Sequence, residues 1–188
     1  MSEGRRRLAP WVALAVAGVL ASLFVVLAQA KGGDTESADT PLLGKVAPAV
    51  TGRTIDGEPW ELARRKGSWV VLNFFQSTCV PCKEEHPELL RFVDQQRGLP
   101  SDGAELYTIV YSDDNVESVR EFFAENGGDW PIVLDPRGSI GVEFQVNKVP
   151  ETWVVSPDGV VVFRTISTVT ADTLSAQIQQ LREARGTG

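Results

Sequence analysis

The sequence predicts an α/β sandwich with a mixed sheet, and three observations predict it. Apolar runs of strand length alternate with stretches patterned as helices. The run Val70-Val71-Leu72 with Phe74-Phe75 shows no polar alternation, as expected of a strand covered on both faces. The chain closes on two short apolar runs around Pro157-Asp158-Gly159 and a last helix, so a hairpin follows the alternating part.

The elements follow in order. Arg5-Arg6-Arg7 precedes Leu8 to Ala30, a stretch without a charged residue and long enough to span a bilayer. Residues 1–7 are therefore expected to be cytoplasmic, 8–30 a transmembrane helix, and the rest exported. Ala28-Gln29-Ala30 also fits a signal-peptide cleavage site. The apolar stretch from Trp11 to Ala28 exceeds the usual signal-peptide core, which favours an uncleaved anchor. Residues 31–40, polar and Gly-rich at the start, read as a linker, and residues 41–188 as one domain. Val50 to Leu62 carries Asp56-Gly57 between short extended pieces, a hairpin signal. Trp69 to Phe75 is the first core strand. Pro81 to Arg97 is a helix ended by Gly98 and Pro100. Glu105 to Tyr111 is a second buried strand. Val116 to Asn126 is an amphipathic helix with Val119, Phe122 and Phe123 on one face, closed by Gly127-Gly128. Ile132 to Leu134 is a short strand, and Ser139 to Phe144 a helical turn or two. Thr152 to Ser156 and Val160 to Ile166 form the closing hairpin. Thr170 to Arg185 is the last helix, with Leu174, Ile178 and Leu181 inward.

The chain of 188 residues carries a net charge of −7, which argues against a nucleic-acid partner. Its chemistry is concentrated in one place. Both cysteines lie in Cys79-Val80-Pro81-Cys82, between a buried strand and a helix. Unpaired backbone N–H groups at a helix start favour a thiolate there, so the Cys79 pKa is expected below the roughly 8.5 of a free thiol. Pro81 suits the first turn, where its missing N–H costs nothing. The two-residue spacer puts Cys82 about one turn on, within reach of the Cys79 sulfur. A structural disulfide of this spacing would close a loop too small to constrain much of the unfolded chain. Structural zinc needs four ligands, and the cysteine pair with the sole histidine, His86, supplies three at most. Reversible thiol–disulfide chemistry is the reading left, with Cys79 as nucleophile and Cys82 as the more buried resolving thiol. Glu85 follows Cys82 by one turn. A partly buried carboxylate there would oppose thiolate formation and shuttle a proton for Cys82. By helix phase His86 points away from Cys79 and is expected to be a surface or packing residue, and Trp60, Trp69 and Trp130 are expected in core or domain-edge packing.

This order, with Cys-x-x-Cys opening the first core helix, resembles thioredoxin. Pro87 matches the kink proline of that helix, and Val149-Pro150 sits where the fold has its cis-proline. More closely, the chain resembles the membrane-anchored TlpA-like group, and within it the CcmG (DsbE) and ResA branch of cytochrome c maturation. The residues that carry this are Cys79-x-Pro-Cys82-Lys-x-Glu85 with His86, Pro150-Glu151-Thr152 followed by Trp153, Ser156-x-Asp158-Gly159, and Tyr111-Ser112-Asp113-Asp114. The resemblance covers roughly residues 41 to 183. Thr78 stands where the family usually has Trp, and Asn73 where thioredoxin has a buried Asp.

The resemblance implies a thioredoxin-like three-layer sandwich with a mixed central sheet. It implies a membrane-tethered, extracytoplasmic reductant of protein disulfides with no cofactor beyond the Cys79–Cys82 disulfide. Its substrate would be the haem-binding cysteines of apocytochrome c, and its electron donor a membrane protein of the DsbD or CcdA type. Val149 would pair with the substrate beside Pro150, and Glu151 would face the disulfide. Two other readings stay open: a general disulfide reductase or oxidase for other exported proteins, and a copper-binding assembly protein using the two sulfurs as soft ligands.

Overall fold

All six residues of strand β3 (Val70–Phe75) are buried, and the domain is layered around it. The structure, a computed structural model, describes residues 14–25, 39–99, 103–111 and 114–186. β3 lies between β4 (Glu105–Val110), which runs parallel to it, and β6 (Glu151–Val155), which runs antiparallel. β5 (Ile132–Leu134) extends the parallel part beside β4. The hairpin of β1 (Thr51–Thr54) and β2 (Pro59–Glu61) adds antiparallel strands outside β5. β7 (Val161–Thr165) pairs with β6 at the other edge. The order across the seven-stranded sheet is therefore β2-β1-β5-β4-β3-β6-β7, a mixed sheet as expected.

Alternation along β3 divides the core. Val71 and Phe75 face one layer, which holds α2 (Val80–Arg97), α3 (Val116–Asn126) and α5 (Ala171–Gly186). Leu89 and Phe92 of α2, Val119, Phe122 and Phe123 of α3, and Leu174 and Ile178 of α5 close that side. Val70, Leu72 and Phe74 face the other way, toward Trp153 and Phe144, under the short α4 (Ser139–Glu143), the 3-10 turn Leu62–Arg65 and part of the segment before β1. Trp60, Trp69 and Trp130 pack in the core as expected. The two hairpin turns need a positive φ, which Gly57 (89°) and Gly159 (83°) supply. Element ends lie within a residue of those read from the sequence. The 3-10 turn was not anticipated, because its four residues are too short to show a period.

The chain divides into two units, residues 1–34 and 35–188. In the first, residues 14–25 are helical (α1) with exposed side chains. Among the described residues no helix is long and apolar enough to cross a membrane. The remainder of the expected span, 8–13 and 26–30, lies outside the described residues, as do residues 1–7 and most of the linker.

Candidate active site

β3 delivers the chain to the site, and α2 begins there. Cys79 is the N-cap of α2 in extended conformation, and Lys83 N closes the first turn on the Cys79 carbonyl at 3.2 Å. The Cys82 N–H donates to the Cys79 sulfur at 3.2 Å, so a free donor of the helix end points at that sulfur. Pro81 occupies the first turn without needing a partner for a donor. Cys79 and Cys82 are joined in a disulfide, with their Cα atoms 5.3 Å apart. Cys79 is partly exposed, whereas Cys82 is 2% exposed. An attacking thiol must be reachable and a resolving thiol need not be, so the burial matches the assigned roles. Reduced protein treated with iodoacetamide near neutral pH is expected to carry label on Cys79 first, read by peptide mass spectrometry. Earlier labelling of Cys82 would reverse the roles.

Glu85 lies one turn beyond Cys82 and is also 2% exposed. Its carboxylate accepts from Asn73 Nδ2 at 3.0 Å and from the Val169 N–H at 2.7 Å. Burial outweighs these two donors and pushes its pKa up to about 7. Asn73 also donates to Thr152 Oγ1 at 3.1 Å, so one amide ties β3 to both β6 and α2. A carboxyl whose pKa is pushed up to about 7, one helical turn from a buried thiol, suits proton transfer with it.

The loop before Cys79 is fixed from outside. Ser77 donates both its N–H and its hydroxyl to the Asp114 carboxylate. Asp114 belongs to the motif quoted from the sequence, but this contact was not foreseen, because residues far apart in the chain meet only when β3 and β4 lie side by side. His86 is a packing residue and not a surface one. It is 2% exposed, ringed by Phe122, Phe123 and Trp130, and its Nε2 lies 2.9 Å from the Gly127 carbonyl. Burial lowers its pKa from the usual 6.5. Among the described residues, no three of His, Cys, Asp and Glu are grouped as metal ligands.

The Val149–Pro150 peptide bond is cis. Val149 is partly buried and packs against the core clusters of both faces. Glu151 departs from expectation. The strand register pairs it with Phe74, on the face away from Asn73, Glu85 and the disulfide. It is fully buried there, and its Oε1 accepts from Trp153 Nε1 and Arg164 Nε, both at 2.8 Å. Glu151 therefore does not face the sulfurs, because successive strand residues point to opposite faces.

Two cysteines that close reversibly at a helix N-terminus, one of them partly exposed, pass electron pairs to and from other thiols. On this sheet topology they make the protein a thiol–disulfide oxidoreductase of thioredoxin fold, working through its own disulfide. Residues 43–164 match the AhpC/TSA family, and the chain belongs to it. It is 32% identical to the thiol:disulfide interchange protein HelX of Rhodobacter capsulatus over 171 residues, 89% of this chain and 91% of that protein. It is 27% identical to the thiol-disulfide oxidoreductase ResA of Bacillus subtilis over 145 residues, 77% of this chain and 79% of that one. These relatives lie in the branch the sequence resembles. The thioredoxin domain of a thiol-disulfide oxidoreductase from Bacteroides vulgatus superposes with a TM-score of 0.65 at 23% identity, over 76% of this chain and 99% of that one, a likeness of fold.

Proposed function

We propose that this protein is a membrane-tethered reductant of protein disulfides outside the cytoplasm, and that its substrate is the haem-binding cysteine pair of apocytochrome c. One observation carries the reading: a partly exposed sulfur at a helix start is paired with a buried one, and a buried carboxyl lies one turn further on. The uncharged stretch after Arg5-Arg6-Arg7 supports the tether and its orientation. Haem attachment requires free thiols in a compartment that oxidises them, which gives a local reductant its purpose.

In the reduced protein the Cys79 thiolate attacks one sulfur of the substrate disulfide. A mixed disulfide forms and the other substrate sulfur leaves as thiolate, taking up a proton. Glu85 takes the proton of the Cys82 thiol, and Cys82 then attacks the Cys79 sulfur. The second substrate sulfur leaves and is protonated, and the protein is left as the disulfide. The substrate gains two electrons from the protein and two protons, one the Cys82 proton released through Glu85 and the other from solvent, because Cys79 enters as the thiolate. A membrane dithiol of the DsbD or CcdA type returns them. Val149, beside Pro150, offers backbone to the substrate strand in the mixed disulfide.

Cys82→Ser removes the resolving thiol and is expected to trap that intermediate in cells. The trapped adduct should contain a c-type apocytochrome, sediment with membranes, and be cut by protease added to spheroplasts. A different exported protein in the adduct would replace the substrate. Recovery of the adduct in the soluble fraction, with mature protein starting at Lys31, would replace the tether by a cleaved signal peptide.

A further inference from the structure

We infer that Arg164 is a positioning residue for the loop that carries Val149 and Pro150, acting from the face opposite the disulfide. Arg164 follows the apolar Val161-Val162-Phe163 in β7, and it is 5% exposed. Its guanidinium lies over the Trp153 ring, 4.9 Å from the centroid. Its Nε donates to Glu151 Oε1 at 2.8 Å, and its two terminal nitrogens reach the carbonyls of Gln145 and Asp39, each at 3.4 Å. Gln145 and Glu151 flank the substrate loop, one before it and one after it. One planar fork therefore holds both ends of residues 146–150.

Two features show that the hold matters locally. Gln145 is the one non-glycine residue with positive φ (56°) among the described residues, a backbone state that L residues adopt only when their surroundings fix it. Glu151 Oε2 is buried without a hydrogen-bond partner among the described residues, so Arg164 is the group that compensates this carboxylate. Neither residue touches the sulfurs or Glu85, which lie across the sheet. The clamp sets where Val149 stands without entering the electron transfer.

The inference rests on the proposed pairing of Val149 with a protein substrate, and the test separates the two. The variants are Arg164→Lys, which keeps the charge but has no fork, and the paired Arg164→Met with Glu151→Gln, which removes the clamp without leaving a buried charge. The probes are an oxidised Cys-x-x-Cys-His peptide and glutathione disulfide. Hydrogen exchange is followed at the amides of residues 146–149 and of α2. Expected are exchange at least tenfold faster in the loop with α2 unchanged, a peptide KM raised about tenfold with kcat within twofold, and a glutathione disulfide rate within twofold of wild type. Unchanged loop exchange overturns the inference, as does faster exchange with unchanged peptide KM. Equal losses on peptide and glutathione disulfide also overturn it, since they mark general damage. A wild-type protein that reduces glutathione disulfide but not the peptide sinks the proposed substrate, and loop exchange alone then decides the clamp.

Discussion

Glu85→Gln is expected to slow resolution of the mixed disulfide about a hundredfold or more near neutral pH, the usual contribution of a positioned general base. It should also remove a pH dependence of stability. Burial holds the folded-state pKa of Glu85 at about 7 against the ordinary 4.5. Below pH 4.5 the carboxyl is protonated in both states, and its burial is that of a neutral group. As pH rises toward 7 the unfolded chain ionises while the folded protein keeps its proton, so stability falls. Above that range the loss is complete, on the order of 3 kcal/mol. His86 works in the opposite sense, losing stability as pH falls below 6.5 because burial disfavours its charged form. It is present in both proteins, so the difference between them isolates Glu85. Urea unfolding from about pH 4 to pH 8 measures that difference. Parallel wild-type and variant profiles would show that Glu85 does not titrate in this window. Quench-flow with the oxidised peptide measures resolution, and an unchanged rate removes Glu85 from the proton transfer.

The Cys79–Cys82 couple is expected to have a potential nearer thioredoxin's, about −270 mV, than that of a strong oxidant at about −120 mV. A strong oxidant needs a heavily stabilised thiolate in its reduced form. Here the helix start favours the Cys79 thiolate, but Glu85, with its pKa pushed up to about 7, places negative charge one helical turn from Cys82 when ionised and opposes a second one. Lys83, whose ammonium lies over the Phe122 ring, is a nearby cation but an exposed one, so solvent weakens its effect. Glu151 does not contribute as the sequence suggested, because it is neutralised by Arg164 on the other face. Glu85 therefore carries this argument, and Glu85→Gln should shift the couple toward oxidising. Equilibration with a dithiothreitol or glutathione buffer, followed by thiol trapping, gives the number. A wild-type potential above about −150 mV would turn the reductant into a disulfide-forming oxidase.

Much of this was legible in the residues. The bounds of β3, α2 and α3 follow from local patterns: an unbroken apolar run, a proline in the first turn, an apolar face at helical spacing closed by Gly127-Gly128. The assignment of Cys79 and Cys82 needed only the spacing and the helix start, because both effects act within one turn. The side to which Glu151 points did not follow. The alternation of Glu151, Thr152 and Trp153 is visible in the chain, but the pairing of β6 with β3 decides which parity meets the disulfide, and a slip of one residue would exchange the faces. The residues alone do not single out Arg164, because only the sheet brings it to Gln145 and Glu151. The hold of Asp114 on Ser77 likewise joins segments 37 residues apart. The sequence by itself determined the elements and the dithiol, since these rest on periods and caps spanning a few residues. The tertiary structure decided the strand order, the burial that lifts Glu85, and the groups that fix the loops around the sulfurs, since charge and desolvation depend on neighbours the chain order does not contain.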